Sequence, residues 1–84
     1  MRGEYVIVRA YGGRPLIRRV WDVGEKVVYI TNDQQLKLLI EGAGNAIGPI
    51  GFPKEDVFRY DREIVELLND KQNFTWDKLK LFNC

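Results

Sequence analysis

The chain contains no histidine and a single cysteine, Cys84, at its last position. Without histidine it lacks the side chain most often used near neutral pH as a general base or metal ligand. One cysteine forms no intramolecular disulfide and no cysteine-built zinc site. Neither sign of charge dominates. Thirteen basic and 12 acidic residues leave a net charge of +1, which excludes a strongly basic, polyanion-coating protein. No apolar run approaches the roughly 20 residues that a membrane-spanning helix needs. The first residues lack a long apolar stretch ending in a small-residue cleavage site. These absences lead us to expect a cytoplasmic protein with no membrane contact, no metal, no cofactor and no catalytic residue.

What is present is enough for one small domain. The chain has 84 residues, of which 45% are apolar and 12% aromatic, so it can bury a core. The first 60 residues read as short strands separated by turns. Residues 5–11 are rich in β-branched and aromatic types. Gly12, Gly13 and Pro15 interrupt them. Residues 16–21 and 26–31 follow as extended segments, with a turn at residues 22–25. Asn32-Asp33 suits a tight reversal. Leu36, Leu38 and Ile40 then alternate at period two, which predicts a strand over residues 35–40; Leu39 falls on the other face, so a helical turn is the competing reading. Residues 46–50 and 56–60 supply two further short strands. From Asp61 the pattern changes. Ile64, Val65, Leu67 and Leu68 share one helical face, and Asp61 stands where an N-cap is expected. Residues 74–82 fit either a helix capped by Thr75 or a strand.

Trp21-Asp22-Val23-Gly24-Glu25-Lys26, with the strand that follows, resembles the diverging turn of SH3-like domains. Gly51-Phe52-Pro53-Lys54-Glu55-Asp56-Val57 is similar to the stretch that closes that fold, with one residue fewer between Gly51 and Phe52. Tyr11 falls near the second tyrosine of the family's opening motif. The resemblance spans residues 5–60. It implies a mainly β fold: a five-stranded SH3-like barrel over residues 1–60, with residues 61–84 as a C-terminal helical extension packed on it. It also implies what is missing. Arg9 stands at the first opening tyrosine, Asp56 at the closing tyrosine, and Gln35-Leu36-Lys37 where a tryptophan would follow a turn. Of the family's ligand-contacting set only Tyr11 and Pro53 remain. Recognition of proline-rich helices, which needs those aromatic rings, is therefore not expected.

Charge is unevenly distributed. Residues 1–30 hold six basic and three acidic side chains, and residues 31–84 hold seven and nine. Arg9, Arg14, Arg18 and Arg19 fall in an acid-free stretch that the resemblance places in the first long loop, with Tyr11 and Trp21 among them. Guanidinium groups pair with carboxylate or phosphate, and interleaved aromatics suit peptides or bases. The candidate ligand residues are thus Arg9, Tyr11, Arg14, Arg18, Arg19 and Pro53. The competing expectation is a solvated surface whose arginines pair with Glu63, Glu66 and Asp70.

Other motifs carry less. Gly42, Gly44 and Gly48 lack the spacing and the following Lys-Ser/Thr of a phosphate loop, so a hairpin turn is expected there. Gly51-Phe52-Pro53 is read as a tight turn. Glu55 and Asp56 are consecutive and would point to opposite faces of a strand, unlike a catalytic carboxylate pair. Tyr5, Tyr29 and Trp21 read as core or half-core aromatics. The tail holds Phe74, Trp76, Leu79, Leu81 and Phe82. These either cover the barrel or form an interaction surface, for which Trp76, Leu79 and Phe82 are the candidates. The expected function is non-catalytic binding to a protein partner through the basic loop. The alternatives are weak nucleic-acid binding by the same arginines, or self-association through the tail.

Overall fold

The computed structural model describes residues 2–83; Cys84 lies outside the described residues. Five strands form one antiparallel, curled sheet: β1 (Tyr5–Ala10), β2 (Arg14–Val23), β3 (Val27–Thr31), β4 (Ile50–Pro53) and β5 (Val57–Arg59). Their order across the sheet is β4-β3-β2-β1-β5. A nine-residue helix, α1 (Asp33–Glu41), joins β3 to β4, and α2 (Arg62–Asn69) follows β5. Three 3-10 segments complete the chain: Tyr11–Gly13, Lys54–Asp56 and Trp76–Phe82.

Alternation along β1 explains the two cores. Val6 and Val8 point to the inner face and pack with Val20, Val28, Ile30 and Val57. Leu16 and Phe52 join them, so every strand contributes to this face. Ile7, one residue out of phase, points outward and packs with Phe58, Ile64 and Leu79. The tail therefore supplies the second half of a core that β1 and β5 begin. Phe74, Trp76 and Phe82 flank it, with Trp76 stacked on Phe58 at 5.3 Å and edge-on to Phe74.

The two free edges of the sheet are treated differently. Beside β5, Asn83 forms a bridge to Phe58, and its side-chain amide donates to the carbonyls of Lys54 and Val57. At β4 the guard is covalent. Lys54 donates its N–H to Lys26, and the register pairs Phe52 with Val28 and Ile50 with Ile30. By parity, Gly51 and Pro53 turn their backbone polar groups away from β3. Pro53, like Pro49 just before the strand, has no N–H to offer an incoming strand. Gly51 faces Tyr29, whose ring would lie 3.3 Å from an added Cβ.

Several expectations are corrected. Residues 35–40 are not a strand. Asn32 caps α1 by accepting the Gln35 N–H at 2.8 Å, and Gly42 ends it in the left-handed conformation. Leu36 is buried, with Leu39 half-buried one turn along the same side, so the helical period wins over the accidental alternation. The Asn32-Asp33 pair starts a helix instead of reversing a hairpin. Residues 46–49 precede the strand, and Gly51-Phe52-Pro53 lies within β4; the turn follows at Lys54–Asp56. There is no long basic loop, because β2 begins at Arg14 directly after the three-residue turn. Tyr5 and Tyr29 are surface residues on the outer face, 42% and 39% exposed. Trp21 sits at the irregularity between Val20 and Asp22, half-buried beneath the Arg2 guanidinium.

Candidate binding cleft

The turn after β1 builds one wall of the cleft. Gly12 and Gly13 both take positive φ, 79° and 76°, which only glycine adopts without strain. This tight reversal leaves the Tyr11 side chain fully exposed. The turn is fixed from outside: the Gly13 carbonyl accepts a hydrogen bond from Trp76 Nε1 at 3.0 Å. Arg9, on the outer face of β1, donates from Nε and Nη2 to Asp56 Oδ1 at 2.9 and 2.7 Å. Its guanidinium also lies 5.5 Å from the Trp76 ring centroid.

Between this turn and β4 opens a shallow cleft of about 560 Å³, lined by Arg9, Tyr11, Gly13, Phe52, Pro53 and Asp56 among others. Ile50 and Phe52 also line an adjoining compartment of about 300 Å³ on the inner face, together with Leu16, Arg18, Ile30 and Ile47. The two compartments therefore meet along β4. Ile47 and Ile50 stand on the rim, 66% and 62% exposed. The loop carrying Ile47 is tied to α1, since its N–H donates to Gln35 Oε1 at 2.7 Å.

Strand parity sorts the arginines. Arg18 shares the inner face with Leu16 and Val20. It is half-buried, and its one hydrogen bond goes to the carbonyl of Ile17 at 2.8 Å. Among the described residues Arg18 and Arg14 make no ion pair. Arg14 is exposed and sits opposite Ala10, which lines the first compartment. Arg19 points to the outer face. It is held by Asp33 Oδ1 at 2.6 Å, by the Gly3 carbonyl, and over the Tyr5 ring at 3.9 Å. The hydrogen bond to Asp33 raises the Arg19 pKa above its ordinary value, despite an opposing effect of burial. The ion-pair partners are thus Asp56 and Asp33 instead of Glu63, Glu66 and Asp70.

Arg9, Tyr11 and Pro53 come together in one compartment, Arg18 lines the next, and Arg14 borders the first. Arg19 is not part of the cleft. Ile47, Ile50 and Phe52 were missed as site residues. The alternation of Ile50 and Phe52 around Gly51 was visible, but glycine and proline made that stretch read as a turn. In the tail, Leu79 is fully buried and offers no interaction surface. Trp76 and Phe82 are half-buried against the same cluster. Leu81 is the exposed apolar residue of that segment, at 88%.

The cleft offers apolar contact, a phenol and unpaired guanidinium groups, which is the chemistry of recognition. Among the described residues, no group of three or more acidic or cysteine side chains is placed to hold a metal ion. Among the described residues no helix is long and apolar enough to cross a membrane. No protein-family model matches the chain, and neither curated proteins nor solved structures show a match.

Proposed function

We propose that this chain is a non-catalytic binding module of SH3-like build that engages a protein partner through the cleft between Tyr11 and β4. The observation that carries this reading is convergence. Arg9 and Tyr11, from the end of β1 and the turn after it, meet Pro53 of β4, and the three line one open compartment. Tyr11 and Pro53 are also the two residues that match the ligand-contacting set of the resembled family. The five-stranded curled sheet over residues 5–59 supports the fold half of the reading. Helix α1 between β3 and β4 departs from it. A fully exposed tyrosine beside half-buried Phe52 is a suitable anchor for a partner side chain.

A protein ligand fits better than a nucleic acid. Of the four clustered arginines, Arg9 and Arg19 are paired with acids. Two unpaired arginines neutralise few phosphates, so affinity for a polyanion would be small and steeply salt-dependent.

The test is affinity capture at moderate salt with the wild type and with Tyr11→Ala/Arg14→Ala. The reading expects a set of proteins retained by the wild type and lost by the variant, with Lys71→Ala as an unaffected control. Retention of the same proteins by the double variant overturns it. So does retention of nucleic acid alone, released by nuclease or salt.

A further inference from the structure

We infer that the compartment around Arg18 receives an acidic residue of the partner, flanked by a large apolar side chain that packs against Leu16, Ile47 and Ile50. This rests on the proposed function and names the chemistry of the segment recognised. The carboxylate belongs on Arg18. Its guanidinium carries five donors, and one is used, toward the neighbouring Ile17 carbonyl. No acidic side chain lines this compartment. A half-buried cation beside apolar walls is best complemented by an anion that accepts two of its N–H groups.

The apolar neighbour follows from the rim. Ile47 and Ile50 are mostly exposed although they continue the floor formed by half-buried Leu16 and buried Ile30. A ligand side chain placed there removes apolar surface from water at both residues. The loop is tied to α1 by the hydrogen bond between Ile47 and Gln35, which lowers the ordering that binding requires.

The occupant is a peptide segment, because the compartment runs along β4 into the one beside Tyr11. Together they accommodate several consecutive residues. Strand addition along β4 is disfavoured, since the strand is four residues long and Pro53 removes one of the two N–H groups on its free edge. Recognition is left to side chains, and the charge of Arg18 selects among them.

The experiment is an NMR titration of the full-length, 15N-labelled protein with acetyl-Leu-Asp-Leu-Phe-amide and with its Asn counterpart. The Asp peptide is expected to bind about tenfold more tightly, as a charge-assisted hydrogen bond implies. Amide shifts should include Arg18, Thr31, Ile47 and Gly48. In Arg18→Gln the two peptides should bind equally, whereas Arg19→Gln should preserve the tenfold ratio. Ile47→Ser, a change on an exposed loop, should weaken both peptides and keep the ratio. Equal binding of the two peptides by the wild type overturns the inference. So do shifts confined to residues 11–13 and 53–56, or no binding of either peptide at millimolar concentration. The proposed function is judged separately, by whether captured proteins are lost on Tyr11→Ala/Arg14→Ala.

Discussion

The indole N–H of Trp76 donates to the carbonyl of Gly13 at 3.0 Å, across 63 residues of sequence. Through this bond the tail holds the turn that presents Tyr11. The same ring stacks on Phe58 and lies beneath Arg9. One side chain thus belongs at once to the outer core and to the support of the cleft.

Trp76→Phe should separate these roles. It keeps the aromatic packing and removes the donor, so the expected cost is about 1 kcal/mol by urea unfolding. Amide exchange at Gly12 and Gly13 should accelerate more than at β2. Trp76→Ala removes the packing as well and should cost about 3 kcal/mol. Equal exchange rates at the turn in wild type and Trp76→Phe would show that the bond does not hold it.

The tail also predicts contrasting effects at two neighbouring leucines. Leu79 is fully buried, so Leu79→Ala should destabilise by about 3 kcal/mol. Leu81 is 88% exposed, and Leu81→Ala should stay within about 0.5 kcal/mol. Deleting residues 61–84 should leave Ile7 and Phe58 uncovered and give a chain that aggregates, read by light scattering. A stable, monomeric truncation would contradict the shared outer core.

The β4 edge makes a prediction about association. Replacing Pro49 and Pro53 by Thr restores an N–H just before β4 and one within it, the latter on the side facing away from β3. The expected result is concentration-dependent self-association, measured by sedimentation, with the fold retained by circular dichroism. A double variant as monomeric as the wild type would remove the guarding role from these prolines.

Two contacts anchor α1. Asn32→Ala removes the cap on the Gln35 N–H and should cost about 1 kcal/mol. The solvent-screened Arg19–Asp33 pair should show only a weak coupling in a double-mutant cycle. Its pH dependence follows from the direction of the shift. The folded-state pKa of Arg19 is raised, so its stabilisation is complete below the unfolded value and fades only as pH rises through the folded one. Because arginine titrates far above neutrality, the stability difference between wild type and Arg19→Gln should be flat from pH 7 to pH 9, by urea midpoints. A loss of that difference within this window would contradict the assignment.

Parts of the molecule were legible in the sequence because their causes are local. The β-branched runs of β1 and β3 and the glycines of the first turn each dictate their own conformation. In the sequence, helix α1 is only the alternative to a strand, although its cues are present: Asn32 at the start and Gly42 at the end bracket nine residues. Leu36, Leu38, Leu39 and Ile40 satisfy both periods in so short a stretch. Gly51-Phe52-Pro53 read as a turn because the roles of glycine and proline depend on the neighbours. Only the pairing with β3 turns the missing N–H of Pro53 to the free edge, and only the Tyr29 ring gives Gly51 a contact.

The sequence by itself determined a small, mainly β protein of balanced charge with an apolar tail. Composition and short-range pattern suffice for that. The tertiary structure decided which arginines are available. Arg9 meets Asp56 across 47 residues and Arg19 meets Asp33 across 14, while strand parity turns Arg18 into the curl of the sheet. Such pairings depend on register and curvature. These are set by how the whole sheet buries its two faces, and no local stretch of sequence encodes them.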